Sequence, residues 1–233
     1  MKKFDLKRGT DRRQFLGKLT AGAATIGVAG FLAPFQQLHA EANIGSVTSE
    51  PDEWFKKIKG KHRMIFDVTK PNSLFPFAWP RVFLLTNQGT GTAQSDCNVV
   101  VVLRHEGIPY AFNNDMWAKY KFGEVFKAND PSNNQPSVRN PFWKPGKGDF
   151  KIPGLGPVEI GINELQDSGV MFCVCDVAMT VYSAAIAEGM KLDAAEVKKD
   201  WMTGLLPGIE VMPSGVWAVG RAQEHGCTYC FAG

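Results

Sequence analysis

Two kinds of hydrophobic pattern alternate along the chain after residue 60. Continuous apolar and β-branched stretches such as "CNVVVVLRH" (97–105) and "VMFCVCDV" (170–177) are typical of strands that are covered on both faces. Stretches with helical spacing lie between them, as in "FAWPRVFLLTNQGTG" (77–91) and "AMTVYSAAIAEGM" (178–190). The same patterns predict further strands at 62–69, 208–215 and 227–232, and further helices at 113–128, 162–169, 194–202 and 216–226.

The alternation of strands and helices predicts an α/β fold. About five strands separated by helices indicate a mostly parallel sheet with helices on both faces, which is a three-layer α/β/α, flavodoxin-like arrangement. Ligands and reactive groups in such folds gather where strands end and helices begin. This rule selects four segments: the loop after Thr69, and the turns at 105–107, 175–178 and 213–215.

Two segments depart from this alternation. Residues 129–159 contain six prolines, so they form neither a long helix nor a central strand, and we expect a Pro/Gly-rich insertion that leaves the domain. Residues 43–60 are polar around a short amphipathic stretch and are expected to form a linker or a peripheral helix. The predicted domain therefore covers residues 61–233.

The first forty residues have a different composition. In "DRRQFLGKLTAGAATIGVAGFLAP", Arg12 and Arg13 precede an apolar run that is rich in glycine and alanine and resembles a twin-arginine export signal. Small residues at 40 and 42 offer cleavage sites, so residues 1–42 are expected to be removed, without a permanent membrane anchor. The resemblance implies the twin-arginine translocase as a partner and the periplasm as the compartment.

Charge and composition exclude one class of function. The chain has 44% hydrophobic and 21% charged residues, as globular proteins do, and its net charge is +3. Residues 1–40 contribute +5 of that charge, which leaves −2 for the remainder. Because the basic character lies in the leader, we expect no nucleic-acid partner.

The sequence "CVCDVAM" contains the most informative pair of cysteines. Cys173 and Cys175 lie two positions apart in a predicted strand, so their side chains are expected on the same face. Cys173 is expected in the core, because free cysteine is among the most buried residue types. Cys175 stands at the start of the next helix, whose N-terminus favours a thiolate. His105, in a neighbouring turn, is either a proton acceptor for this thiol or a structural residue of the turn.

The second pair, Cys227 and Cys230 in "HGCTYC", has three interpretations. These residues pack in the core, form a local disulfide, or bind a metal together with Cys173 and Cys175 if the last strand lies close to the third. The nearby "PSG" also has two interpretations. The backbone of Ser214 and Gly215 either binds an anion at the start of the last helix or forms an ordinary turn and helix cap.

The cysteine strand and the segments around it resemble the DsrE-like family of sulfur-relay proteins. The resemblance lies in "VVVVLRHEG", in "ELQDSGVMFCVC" and in "LLPGIEVMPSGVWAVGRAQEHGCTYC", and it covers residues 61–233 except the insertion. It implies that Cys175 accepts sulfane sulfur as a persulfide. Beyond the resemblance, we expect His105 as an assisting group and Cys173, which is not part of the family's general pattern, as a resolving partner. The resemblance also implies a sulfur donor or acceptor protein and a homo-oligomer.

Two other functions remain open at this point. Both cysteine pairs together suggest a periplasmic metal- or cofactor-binding protein without turnover, and the family's assembly into oligomers suggests a non-catalytic interaction module. We assign no cofactor other than the persulfide sulfur, and the sequence does not decide between a sulfurtransferase and a sulfur carrier.

Overall fold

The computed structural model describes residues 51–152, 154 and 156–233 of the 233-residue chain. The predicted export signal, with Arg12 and Arg13, and the first residues of the predicted linker lie outside this part. Within the described residues, no helix combines the length and the apolar character that crossing a membrane requires.

A five-stranded parallel sheet forms the centre of the described domain, and a second sheet has two strands. The seven strands of the described residues are β1 (His62–Val68), β2 (Cys97–Leu103), β3 (Lys151–Ile152), β4 (Gly156–Pro157), β5 (Met171–Cys175), β6 (Ile209–Met212) and β7 (Thr228–Phe231). The main sheet has the order β6-β5-β2-β1-β7, and all its neighbouring strands run parallel. Strands β3 and β4 form a separate short antiparallel pair.

Eight α-helices are described around the sheet. They are α1 (Pro51–Phe55), α2 (Phe75–Gly89), α3 (Asn114–Tyr120), α4 (Phe122–Val125), α5 (Ile162–Asp167), α6 (Asp176–Met190), α7 (Ala194–Thr203) and α8 (Gly215–Glu224). Short 3-10 helices cover Gln94–Asp96 and His105–Ala111.

Alternate residues of the strands face two hydrophobic cores. In β2, for example, Val101 belongs to an upper core with α2 and α6, whereas Val100 belongs to a lower core with α1 and α8. The chain crosses the sheet in one direction from β1 to β6 with its connecting helices on the upper core. It then reverses to reach β7 through α8 on the lower core, as right-handed connections require. The predicted three-layer, flavodoxin-like α/β fold with a five-stranded parallel sheet is confirmed.

The Pro/Gly-rich segment 129–159 packs on the domain and does not leave it, contrary to our expectation. Phe142 and Phe150 are buried in the upper core. Asn140 is fully buried, and its side-chain amide donates hydrogen bonds of 2.9 Å to the carbonyl oxygens of Tyr110 and Phe112. The segment contains no element longer than the short pair β3 and β4 among its described residues, but aromatic side chains and one buried amide still fix it.

The predicted helix 113–128 is also corrected. It breaks at Lys121, which has a positive φ of 51°, into α3 and α4. The break brings Gly123 against the insertion, where a Cβ atom would lie 2.1 Å from the carbonyl oxygen of Ser137. A continuous helix with a larger residue at this position would therefore displace the insertion.

Candidate functional site

The four segments selected from the sequence lie at the carboxyl edge of the parallel strands, and those that follow β2, β5 and β6 are adjacent. Strands β2 and β5 pair Leu103 with Val174, so the next residues, Arg104 and Cys175, are neighbours across the two strands. Cys175 pairs on its other side with Met212 of β6. The edge therefore gathers the end of β2, the junction of β5 with α6, and the turn before α8.

The Cys175 thiol caps the N-terminus of α6. Cys175 ends β5 with extended backbone angles, and its Sγ accepts a hydrogen bond of 3.3 Å from the backbone N–H of Ala178. The 15-residue helix directs its positive dipole end at the sulfur. A thiol in this position is suited to nucleophilic chemistry as a thiolate. Only 6% of Cys175 is exposed, so few reactants reach it without local movement.

An ion pair offsets the carboxylate that follows Cys175. Lys198 of α7 lies 2.9 Å from Asp176 Oδ1, and its Nζ also donates a hydrogen bond of 2.8 Å to the hydroxyl of Thr180. A free carboxylate beside Cys175 would oppose a thiolate. Because Lys198 pairs with it, the negative charge of Asp176 is compensated.

A second ion pair at this edge was not predicted from the sequence. Arg104 donates two hydrogen bonds, of 2.6 and 2.7 Å, to the carboxylate of Asp67, and the hydroxyl of Tyr229 donates a third, of 2.8 Å. The hydrogen bond to Asp67 is the largest of the effects that raise the pKa of Arg104; the charges of Asp67, Tyr229 and Cys175 also raise it, while burial opposes them. One signal was available, because Asp67 is a carboxylate within the apolar strand "HRMIFDV".

His105 lies in the turn next to this site, but its contacts are with α6. Its backbone has a positive φ of 52°, its side chain is exposed, and its Nδ1 lies 3.3 Å from the hydroxyl oxygen of Tyr182. No hydrogen bond joins His105 to Cys175 in the described part of the chain. The contacts thus correspond to the structural role that we considered for this residue.

Cys173 is fully buried in the lower core, as predicted. Burial is the main cause that raises the pKa of its thiol, and the nearby Cys175 and Glu210 raise it further. Cys175, two positions later, pairs in register with Met212 of the lower core, in agreement with a common face for the two cysteines. It also packs against the upper core, because it ends the strand and caps α6.

The structure separates the two cysteine pairs. Strand β7 lies at the edge of the sheet, and β1 and β2 stand between it and β5, a distance of about 14 Å at three inter-strand spacings. Cys227 is buried in the lower core, whereas Cys230 is half-buried and packs against the upper one. Burial raises the pKa of Cys227 to about 11, with Arg63 opposing it.

These positions do not support the four-cysteine metal site. Among the described residues, no three His, Cys, Asp or Glu side chains are grouped as metal binding requires. Cys227 and Cys230 are also free thiols and form no disulfide. Of the three interpretations of this pair, packing is the one that the geometry supports.

The turn before α8 accommodates Arg104. A Cβ atom on Gly215 would lie 2.5 Å from the Cβ of Arg104, so glycine leaves room for the arginine stem. Ser214 precedes the helix, but its side chain makes no capping hydrogen bond. The contacts of Gly215 therefore explain the glycine without an anion.

Two surface grooves lie away from this edge. One borders Trp54, Met171 and Gly208 near the amino ends of β5 and β6, and the other lies between Arg81 and Pro157. Neither groove includes Cys175 or Arg104.

Comparisons with known proteins leave the function open. No family model matches the chain, and no curated protein matches it. A solved structure of a protein of unknown function, MTH1491 from Methanobacterium thermoautotrophicum, matches 73% of this chain and 98% of its own. It is 19% identical, with a TM-score of 0.34. We therefore infer the function from the residues of this chain.

Proposed function

We propose that the chain is a DsrE-like protein that binds or relays sulfane sulfur through Cys175. The observation that carries this proposal is the position of the Cys175 sulfur at the carboxyl edge of β5, where it accepts a hydrogen bond from the backbone N–H of Ala178 in the first turn of α6. The motifs around the cysteine strand support it, because they resemble those of sulfur-relay proteins.

The transfer is a thiolate displacement on sulfur. The Cys175 thiolate attacks the terminal sulfur of a donor persulfide or polysulfide, and a new S–S bond forms as the S–S bond of the donor breaks. The donor leaves as a thiolate or a shorter polysulfide; a proton on the transferred sulfur moves with it, and a sulfur from a polysulfide dianion arrives unprotonated. No external oxidant or reductant is required, and an acceptor thiolate removes the sulfur by the same reaction.

The environment of Cys175 favours a persulfide that persists over one that a second thiol of the same chain attacks. Cys173, the candidate resolving thiol, is fully buried in the other core, and its raised pKa keeps it protonated at neutral pH. The limited exposure of Cys175 favours a small donor such as polysulfide. We therefore favour a carrier, and a sulfurtransferase cycle requires a partner protein that supplies or accepts the sulfur.

Intact-mass spectrometry after incubation with polysulfide tests the proposal. The unmodified protein is expected to gain about 32 Da per sulfur atom, and Cys175→Ser is expected to lose this gain. Cys230→Ser, which changes a half-buried cysteine at the far edge, serves as the matched control and retains the adduct. Wild-type protein without an adduct, or an undiminished adduct on Cys175→Ser, contradicts the proposal.

The proposal includes export to the periplasm by the twin-arginine translocase. It is supported by Arg12 and Arg13 and the apolar run behind them. In cell fractionation, a variant with Arg12→Lys and Arg13→Lys is expected to accumulate in the cytoplasm as precursor. Processing that is unchanged in this variant contradicts the export route. Assembly into a homo-oligomer is a further part of the proposal, which sedimentation of the mature protein tests.

A further inference from the structure

Arg104 is the strongest unassigned feature of the carboxyl edge. Its guanidinium forms a bidentate pair with Asp67, which is 1% exposed, while the Arg104 side chain is 27% exposed. Asp67 also accepts the hydroxyl hydrogen bond of Tyr229, and Gly215 leaves space for the arginine stem. Asp67 of β1 thus holds Arg104 directly, and Tyr229 of β7 holds Asp67.

We infer that Arg104 is a positioning residue for Cys175, whose fixed positive charge stabilises the anionic form of the cysteine and of its persulfide. This inference rests on the proposed role of Cys175. Arg104 follows β2, the strand that pairs with β5, and it is the neighbour of Cys175 across that pair. Asp67 lies one strand further away, in β1, so the cationic member of the ion pair belongs to the strand beside Cys175.

The other charged groups around Cys175 are paired or directed elsewhere. On α6 and α7, Asp176 is bound by Lys198. In the turn after β2, the exposed His105 contacts Tyr182 of α6, and the charge of Glu106 acts on Tyr182. On β6, Glu210 pairs in register with Cys173 and raises the pKa of that thiol. The electrostatic interaction of Arg104 with Cys175, which contributes to its raised pKa, agrees with the geometry.

The rate of alkylation of Cys175 by iodoacetamide as a function of pH tests this inference. The rate is measured on the peptide that contains Cys175 by mass spectrometry, because only the thiolate reacts. Arg104→Gln is expected to lower the rate at pH 7 roughly tenfold and to move the pH profile to higher pH. Arg104→Lys keeps the charge but not the bidentate geometry, and we expect a loss of roughly threefold.

Two controls separate charge from folding. Arg139→Gln removes an exposed guanidinium from the insertion and is expected to leave the rate unchanged. Circular dichroism and urea unfolding confirm that each variant is folded, and Arg104→Lys provides the test if Arg104→Gln does not fold. A folded Arg104→Gln variant with the wild-type pH profile overturns the inference. An Arg104→Lys variant whose pH profile shifts as far as that of Arg104→Gln also overturns it.

The alkylation experiment and the polysulfide experiment test separate claims, so one claim can fail without the other. Alkylation needs no sulfur donor, so a shifted profile without any polysulfide adduct refutes the proposed function and leaves the electrostatic role of Arg104 intact. An adduct on Cys175 together with an unshifted pH profile of Arg104→Gln supports the proposed function and refutes the role of Arg104, because sulfur then binds without assistance from Arg104.

Discussion

The two cysteine pairs of this protein differ in what surrounds them. Cys175 closes an inner strand and caps a 15-residue helix, with Cys173 buried behind it. Cys227 and Cys230 flank and occupy the edge strand β7, one packed against each face of the sheet. The proposed reactivity of Cys175 therefore depends on its position at the strand-to-helix junction. Two cysteines that are close in sequence do not by themselves form a site.

The Asp67 network links these two regions. Asp67 receives Arg104 from the Cys175 edge and Tyr229 from β7, so one carboxylate joins the reactive strand end to the terminal strand. A change at Asp67 affects both regions, whereas a change at one cysteine affects one of them. The following predictions use this difference.

The largest effect is expected for Asp67→Ala. Removing this buried carboxylate leaves Arg104 partly buried without its partner, and we expect the free energy of unfolding to fall by about 2 to 4 kcal/mol. Urea unfolding measures the change. The matched control is Asp96→Ala, which breaks an exposed pair with Lys61 at the opposite end of the strands and is expected to cost roughly 0.5 kcal/mol or less. Equal losses for the two variants contradict the structural importance of the network.

An intermediate effect is expected when Cys173 and Cys230 are each replaced by alanine. Cys173 is fully buried, so its loss leaves a small cavity, and we expect a cost of about 1 to 2 kcal/mol. Cys230 is half-buried at the edge, and its loss is expected to cost roughly 0.5 kcal/mol or less. Urea unfolding of both variants decides the point. A costlier Cys230→Ala would reverse the comparison between the pairs.

The last effect concerns pH and appears only in alkaline solution. Burial raises the pKa of Cys227 from about 9 to about 11, so between these values the unfolded chain has released a proton that the folded chain retains. The resulting stabilisation is present below pH 9 and is lost as the pH rises through 11. Unfolding of wild-type protein and Cys227→Ala at pH 7.5 and 10.5 is expected to show the steeper decline in the wild type. Parallel declines would mean that Cys227 titrates alike in both states.

The sequence predicted most of the fold because periodicity depends on local burial. The strands and most helices, including the helix after Cys175, follow from their apolar patterns, and the parallel sheet follows from their alternation. The packing of the insertion was missed, since prolines indicate only the absence of a long helix or a central strand. Its attachment depends on Phe142 and Asn140, whose partners are distant in the chain.

The candidate site was predicted in part. The position of Cys175 follows from the strand-to-helix junction, and the burial of Cys173 follows from its residue type. The bond between Arg104 and Asp67 joins residues 37 positions apart and depends on strand order, which local patterns do not specify. The distance between the two cysteine pairs depends on the same order.

The most direct test of the central claim maps persulfides across all five cysteines of the wild-type protein. The folded protein is treated with polysulfide, alkylated and digested, and fragment ions locate each added sulfur of about 32 Da. The account predicts that the sulfur is on Cys175, with little on the half-buried Cys230 and none on Cys173. Sulfur on Cys230 or Cys97 with Cys175 unmodified would contradict it.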